Sequence, residues 1–381
     1  MFRRFLVSFA VSSCLGFCVA GHASAAMVYT ITDLGTVPGG AWSDAHNINN
    51  VGQVVGCSML QGGYSRAYCW TAGTMTNLGT LGGPASNAHG VNDYGQVVGI
   101  AGTFQSAHAF LWTDGVMTDL GTLPGGQSSH GRAVNNSGQV VGYSTGPDGY
   151  EHPFLWSDGV MTDLGALGSN THSFAKDINS SGQIVGSSKS HAFLWSDGTM
   201  TDLAPGNKTS DATAINDAGQ IVGSSTAWGN GRACLWSGGT MTNLGTVPGY
   251  TVSDATDINS KGQVVGWSHT LSGDECACLW SDGYITDLNS VIGAGSGWQL
   301  QRAMGINDSG QVAGYGRLGS STHAFLLTPI PEPSTIVLLG IGIIGSLCYL
   351  VAKEFKRNGA AASFRLPLTL CRFSSAHRVE R

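Results

Sequence analysis

The chain has 381 residues and a formal net charge of −6, and only 11% of its residues are charged. Residues 27–330 hold 9 Lys and Arg against 21 Asp and Glu, a net charge of −12. Phosphate backbones are bound through positive surfaces, so this balance argues against nucleic acid as a partner. The 57 glycines and the scarcity of charge favour an all-β protein with many turns.

The first 26 residues have the three parts of a secretory signal peptide. Arg3 and Arg4 form a basic region, residues 5–19 are apolar, and residues 23–25 provide small side chains for cleavage. We therefore expect residues 1–26 to direct export and then to be removed. A buried first helix is the alternative interpretation, which fits the flanking residues less well.

Residues 27–328 contain seven copies of a unit of about 43 residues. Each unit has a strand ending in [IV]-N, the string G-Q-[VI]-[VA]-G, an aromatic strand such as His-Ala-Phe-Leu-Trp and, in most copies, [MI]-T-[DN]-L. Four short strands at this period are typical of a β-propeller blade. The sequence therefore predicts a seven-bladed all-β propeller, with a solenoid or a sandwich array as the alternative. The second string begins at Gly52, Gly95, Gly138, Gly182, Gly219, Gly262 and Gly310.

The two ends of the repeat region complement each other. Residues 31–34 have the sequence of a lone fourth strand, placed before the first complete unit. The last unit has its first three strands, the third ending at Leu327, and lacks a fourth. We predict that the N-terminal strand completes the seventh blade, which closes the ring and removes an exposed sheet edge.

One position differs in chemistry from unit to unit. It lies two places before each [IV]-N pair, on the strand expected to line the central channel. Four consecutive units carry a basic or titratable side chain there, in an otherwise acidic protein. We hypothesise that these four form a site for an anion or an acidic sugar; solvated strand starts with no shared ligand are the alternative. They are His46, His89, Arg132 and Lys176, and the other units carry Thr213, Thr256 and Met304.

No arrangement typical of an enzyme stands out, and we expect no catalytic residue, metal ion or cofactor. Histidine recurs in the third strand, but equivalent positions on different blades lie far apart, and Arg or Cys replaces it elsewhere. We therefore predict packing or hydrogen bonding rather than metal binding for these histidines. They are His108, His152, His191 and His323.

Five cysteines lie in the exported part of the chain. Cys57 and Cys69 fall on strands predicted to be hairpin neighbours, so an oxidising compartment makes them the most plausible disulfide. The odd number leaves at least one free thiol if pairing stays within the chain.

The C-terminal part predicts a membrane anchor. Residues 329–334 form a Pro-rich linker with Pro331, Glu332 and Pro333, and residues 335–352 are an uncharged run just long enough to span a bilayer. Basic residues follow at once, so residues 353–381 are predicted to be a cytoplasmic tail, with the repeats on the other side.

Pro-Glu-Pro, an apolar span and a basic cluster, in this order, resemble the PEP-CTERM sorting signal of Gram-negative bacteria. The resemblance implies an exosortase-like processing enzyme and delivery to the cell surface or the extracellular matrix. That family usually ends at the basic cluster, whereas 24 residues follow Arg357 here. Permanent membrane anchoring therefore stays open as the alternative.

The His-Ala-Phe-Leu-Trp strand with its flanking G-Q-V-V-G resembles the HAF-type extracellular repeats of bacteria. This resemblance implies an exported repeat module without an assigned chemistry. We expect a surface or matrix protein that acts as a binding or structural module, with extracellular polysaccharide or surface proteins as partners. The alternative is a hydrolase or lyase that acts on extracellular polysaccharide from a propeller scaffold.

Overall fold

The computed structural model describes residues 28–206 and 208–330. The predicted signal peptide, sorting motif, transmembrane helix and tail lie outside these residues, except for the start of the linker. The described residues form 28 strands in seven antiparallel four-stranded sheets. No helix among them is long and apolar enough to cross a membrane.

The first three blades are built from consecutive strands. Blade 1 consists of β2 Gly40–Ile48, β3 Val54–Leu60, β4 Ser65–Thr71 and β5 Thr74–Asn77. Blade 2 consists of β6 Ser86–Val91, β7 Val97–Gly102, β8 Ala107–Thr113 and β9 Val116–Asp119. Blade 3 consists of β10 Ser129–Val134, β11 Val140–Thr145, β12 Glu151–Ser157 and β13 Val160–Asp163.

The remaining blades repeat the pattern until the last. Blade 4 consists of β14 Ser173–Ile178, β15 Ile184–Ser188, β16 His191–Ser196 and β17 Thr199–Asp202. Blade 5 consists of β18 Ser210–Ile215, β19 Ile221–Ser225, β20 Arg232–Ser237 and β21 Thr240–Asn243. Blade 6 consists of β22 Val252–Ile258, β23 Val264–His269, β24 Glu275–Ser281 and β25 Tyr284–Asp287, and a 3-10 helix, Leu288–Ser290, follows it. Blade 7 consists of β26 Trp298–Ile306, β27 Val312–Leu318, β28 Ser321–Pro329 and, from the other end of the chain, β1 Tyr29–Gly35.

The predicted closure of the ring is confirmed. Strand β1 pairs antiparallel with β28, with Ile31 opposite Leu327. The carboxylate of Asp33 also lies 3.0 Å from Nδ1 of His323 on β28. The first strand of every blade contacts the first strands of both neighbours, and β26 contacts β2. The protein is therefore a closed seven-bladed β-propeller.

The hydrophobic core lies between blades. Val98 and Ala109 of blade 2 pack with Val140 and Phe154 of blade 3 in one buried cluster. The next valine, Val141, points to the other face of the sheet and packs against blade 4. The paired valines of the repeated string therefore join each blade to both neighbours, and a fully buried Val contributes about 1.5–3 kcal/mol.

The two glycines of the repeated string meet two different structural requirements. The first, for example Gly138, sits in the hairpin turn at φ +76°, which non-glycine residues rarely adopt. The second, for example Gly142, lies against the adjacent strand, where a Cβ atom would be 1.9 Å from the carbonyl oxygen of His130. In every blade, therefore, the first glycine of the string is required by a turn and the second by a close contact between backbones.

A closed ring of seven asparagines links the first strands. Each is buried, and its Nδ2 donates to the backbone carbonyl of the asparagine in the next blade over 2.8–3.3 Å. The last bond, from Asn307 to the carbonyl of Asn49, joins the two ends of the repeat region. These asparagines are the N of each [IV]-N pair: Asn49, Asn92, Asn135, Asn179, Asn216, Asn259 and Asn307.

Candidate functional site

The variable position of the repeat is a β-bulge in every blade. In each first strand the pairing register with the second strand skips this residue, as at Arg132 between Gly131 and Ala133. A bulge adds one unpaired residue and re-aims its side chain. Since all seven blades carry it, the bulge belongs to the repeat, and the residue type is what differs. The bulge residues are His46, His89, Arg132, Lys176, Thr213, Thr256 and Met304.

All seven bulge residues line one cavity of 390 Å³, hereafter the ring cavity. Because every blade contributes to its wall, the cavity lies on the axis of the propeller. The structure therefore brings together the four side chains that the sequence singled out. Asn47, Asn87, Ala133, Asp177, Ala214 and Asp257 complete the wall.

Four bulge residues bond to the backbone of the next blade. Nδ1 of His46 lies 2.8 Å from the carbonyl oxygen of Ala88, and Nδ1 of His89 lies 2.9 Å from that of Gly131. The hydroxyls of Thr213 and Thr256 donate to the equivalent carbonyls of their neighbours at 2.7 and 2.8 Å. This position therefore helps to hold adjacent blades together, a role that the sequence did not reveal.

The pKa values of the two histidines shift in opposite directions although the residues occupy equivalent positions. Burial lowers the pKa of His46, but a hydrogen bond to Asp44 and the charge of that carboxylate outweigh burial and raise the pKa above its ordinary value. Burial lowers the pKa of His89 as well, and the charge of Arg132 adds to this effect. His89 is therefore neutral at pH 7, with Nδ1–H as the donor to Gly131 and Nε2 as an acceptor.

The two longer cations also differ. Lys176 forms an ion pair with Asp211 of the next blade. Arg132 has neither an ion pair nor a side-chain hydrogen bond with any residue that the structure describes. Burial lowers the pKa of its guanidinium, which nonetheless stays charged at neutral pH. The ring cavity thus contains one half-buried positive charge that no carboxylate of the described residues contacts, although the charge of Asp211 acts on it from a longer distance.

Two carboxylates in the cavity wall are held by backbone groups. The oxygens of Asp177 accept hydrogen bonds from the N–H groups of Ile178 and Ile215, at 2.9 and 2.8 Å. Asp257 makes the same pair of bonds, its second one to Ile306 in blade 7. Burial raises the pKa of each to about 7. The sequence does not reveal this role of Asp177 and Asp257, since only the fold shows that they bridge adjacent blades.

The histidines of the third strands make hydrogen bonds, as predicted. Nδ1 of His191, for example, lies 2.7 Å from the carboxylate of Asp202 on the fourth strand of its blade. Where Arg replaces His, as at Arg66, the fourth strand carries Asn instead of Asp, and Arg66 donates to backbone carbonyls. The equivalent pairs are His108–Asp119, His152–Asp163 and His323–Asp33.

The predicted disulfide is not formed in the structure, where Cys57 and Cys69 are both free and buried. They lie on adjacent strands, but Cys57 faces Ala67 and Cys69 faces Val55, so the two are diagonal neighbours. Diagonal Cα atoms lie about 7–8 Å apart, beyond the usual reach of a disulfide. The Cys57 thiol instead contacts the carboxylate of Asp44, at 3.1 Å.

Residues 329–351 match the family model of the PEP-CTERM protein-sorting motif. The chain therefore carries this sorting motif, which implies an exported surface protein and processing by an exosortase-like enzyme. Pro331, Glu332 and Pro333 fall within the match but outside the residues that the structure describes. No curated protein sequence matches the chain.

Solved structures resemble the propeller at low sequence identity. A puromycin-hydrolyzing peptidase of Mycobacterium tuberculosis has a TM-score of 0.52 and 12% identity, over 76% of this chain and 54% of that one. The chain thus spans about half the length of the peptidase. An oligogalacturonate lyase in complex with manganese has a TM-score of 0.50 and 11% identity, over 81% of this chain and 95% of that one. At such identities the likeness shows the fold alone.

Proposed function

We propose that the chain is an exported surface or matrix protein that binds an anionic ligand in the ring cavity and does not catalyse a reaction. This proposal rests on the guanidinium of Arg132, which is half-buried in the wall of the ring cavity and is contacted by no carboxylate of the described residues. A buried charge is unfavourable unless a partner compensates it. An anionic ligand would supply that partner.

The carboxylates of the cavity support binding over catalysis. Both oxygens of Asp177 and of Asp257 accept backbone hydrogen bonds, one from the same strand and one from the next blade. A general acid or nucleophile needs an oxygen within reach of the substrate. These two residues therefore favour an architectural role, which speaks against the hydrolase or lyase alternative.

The distribution of charge along the propeller axis favours the ring cavity over a second opening as the place where an anion binds. At the C-terminal end of the first strands, a second opening of 220 Å³ is lined by Asp93, Asp217 and Asp308, and no Lys or Arg of residues 28–206 and 208–330 lies in its wall. The opening that contains Arg132 is therefore the better place for a negative ligand.

The location and the partners complete the proposal. The sorting motif supports display outside the cytoplasm. We propose in addition that the repeats are of the HAF type and that residues 335–352 form a membrane-spanning helix. Extracellular polysaccharide or surface proteins would be the partners. Processing at the motif would release the repeats to the matrix, whereas an unprocessed chain would stay anchored.

The test is retention of the full-length protein, in a non-ionic detergent, on the immobilised acidic exopolysaccharide of its host. We expect retention that weakens in Arg132→Gln and persists in Arg317→Gln, which removes the same charge from an exposed position on β27. Equal retention of both variants, or none of the wild type, would reject the cavity as the site. New reducing ends or unsaturated products in the polysaccharide would reject a binding role without catalysis.

A further inference from the structure

An aromatic wall stands beside the unpaired guanidinium. His130 precedes Arg132 by two residues on β10, and its ring stacks on Tyr143 with centroids 4.6 Å apart and planes inclined by 14°. Tyr143 in turn meets Phe174 edge-on, at 4.9 Å and 88°. Phe174 lies two residues before Lys176, which lines the ring cavity. We call His130, Tyr143 and Phe174 the aromatic wall; all three are partly exposed and lie next to the ring cavity along β10, β11 and β14 rather than in its lining.

The aromatic wall and the guanidinium belong to one environment. The charge of Arg132 opposes the rise that burial causes in the pKa of Tyr143. Tyr143 likewise opposes the lowering that burial causes in the pKa of Arg132. A group bound to the guanidinium would therefore lie close to aromatic faces, which attract apolar C–H groups through their negative quadrupole.

The wall of the ring cavity also contains a hydrogen-bond acceptor that lacks a donor. The amide oxygen of Asn87, in the cavity wall, is buried and has no hydrogen-bond partner among the described residues. The second oxygen of Asp211, the partner of Lys176, has none either, but Asp211 lines a separate opening and not the ring cavity. The Asn87 amide can rotate about its broad terminal torsion. In the orientation that the structure shows, a ligand that satisfies the Asn87 oxygen donates a hydrogen bond as well as carrying a negative charge.

We propose that the ligand is a carboxylated sugar, whose carboxylate binds Arg132, whose hydroxyls donate to Asn87, and whose ring packs on the aromatic wall. This inference rests on the proposed function and narrows its ligand class. A guanidinium presents two parallel N–H donors that match a carboxylate. The volume of 390 Å³ lies within the range of small-molecule sites and suits a sugar unit rather than a long polymer segment.

The charges around the cavity favour a monoanion over a dianion such as a phosphate monoester. Arg132 is the one cation in the cavity wall that lacks a carboxylate partner among the described residues, since Asp44 lies 3.5 Å from His46 and Asp211 pairs with Lys176. A dianion would leave one negative charge uncompensated beside these carboxylates. Hydroxyl groups, in contrast, can donate hydrogen bonds to a carboxylate or amide oxygen.

The experiment is calorimetric titration of the full-length protein, in a non-ionic detergent, with trigalacturonate, its methyl ester, acetate and sulfate. We expect saturable binding of trigalacturonate and at least about tenfold weaker binding of the other three. Arg132→Gln should weaken trigalacturonate at least about tenfold, and Arg132→Lys should restore only part of this loss because Lys lacks the two-pronged geometry. Phe174→Ala should weaken the sugar several-fold and leave acetate unchanged, and Arg317→Gln should change neither.

The outcomes separate the two proposals. If acetate or sulfate binds as well as trigalacturonate and both depend on Arg132, the anion site stands and the sugar assignment is wrong. If no anion binds, or binding is the same in Arg132→Gln, both proposals are wrong. If the ester binds as well as the acid, the carboxylate is not recognised and the inference is overturned. A circular dichroism spectrum and melting temperature matching the wild type would show that each variant is folded.

Discussion

The asparagine ring makes a quantitative prediction for Asn135→Ala. The Nδ2 group of Asn135 donates to the carbonyl of Asn179 in the next blade at 3.2 Å and to Oε1 of Gln139 at 2.8 Å. Its Oδ1 accepts the N–H groups of Ser137 and Gln139, both at 3.1 Å. Alanine removes all four bonds at a position that is 6% exposed.

The expected loss follows from the groups left without partners. The carbonyl of Asn179 and the N–H of Gln139 would lose their side-chain partner in a buried region. Each buried group without a partner costs about 1–3 kcal/mol, so the loss of two should lower the free energy of unfolding by about 2–6 kcal/mol. This is a large part of the 5–15 kcal/mol that is typical of a domain. It corresponds to a decrease in melting temperature of roughly 5–15 °C.

The neighbouring residue provides a matched control. Asn136 is exposed, and among the described residues its side chain bonds only to Asp93, with Oδ1 at 2.9 Å from the backbone N–H and Nδ2 at 3.2 Å from the carboxylate. Asn136→Ala should cost less than about 1 kcal/mol because water can replace these bonds. Urea unfolding followed by tryptophan fluorescence compares the two variants. Equal losses, or a loss below 1 kcal/mol for Asn135→Ala, would refute the role of the ring in joining blades.

Three further predictions concern backbone packing, protonation and redox state. Gly142→Ala should lower the free energy of unfolding by about 2–4 kcal/mol, because its Cβ would lie 1.9 Å from a backbone oxygen. Gly293→Ala, with nothing within 4 Å, should be nearly neutral; similar urea midpoints would contradict this contrast. The pKa of Asp177 is raised to about 7 by burial, whereas an unfolded Asp ionises near 4, so this group lowers stability as pH rises from about 4 to 7, by up to about 1.4 kcal/mol per pH unit. Asp177→Asn should flatten the dependence of the unfolding free energy on pH in that window, and an unchanged slope would be evidence against the shift. Alkylation in denaturant without reductant should modify both Cys57 and Cys69, and protection of the pair would show that they form a disulfide after all.

Much of the fold could be predicted because its determinants are local and repeated. The hairpin turn requires a glycine with positive φ at Gly138, and the tight approach of two strands requires Gly142. Both requirements recur in every blade, so the period appears directly in the sequence. The ring closure could be predicted because the unit is incomplete at both ends in complementary ways. The pairing state of Cys57 and Cys69 could not be predicted, because the proximity of two strands does not distinguish directly opposite residues from diagonal ones.

The site was predicted only in outline because its chemistry depends on neighbours from other strands and blades. His46 and His89 occupy the same position, yet their pKa values shift in opposite directions. The difference follows from Asp44 beside the first histidine and Arg132 beside the second. In the same way, Lys176 is neutralised by Asp211 of the next blade, while Arg132 has no such partner among the described residues. The spacing of the repeats predicts the position of these side chains. Their electrostatic environment depends on neighbours that only the folded structure shows.

The most direct test of the account is a crystal structure of the protein grown with trigalacturonate. The account predicts a sugar ring against the aromatic wall, with its carboxylate within hydrogen-bonding distance of both terminal nitrogens of Arg132. Density for the sugar elsewhere on the propeller, or a saturating ligand concentration that leaves the guanidinium without a bound carboxylate, would contradict the assignment of the ring cavity as the binding site.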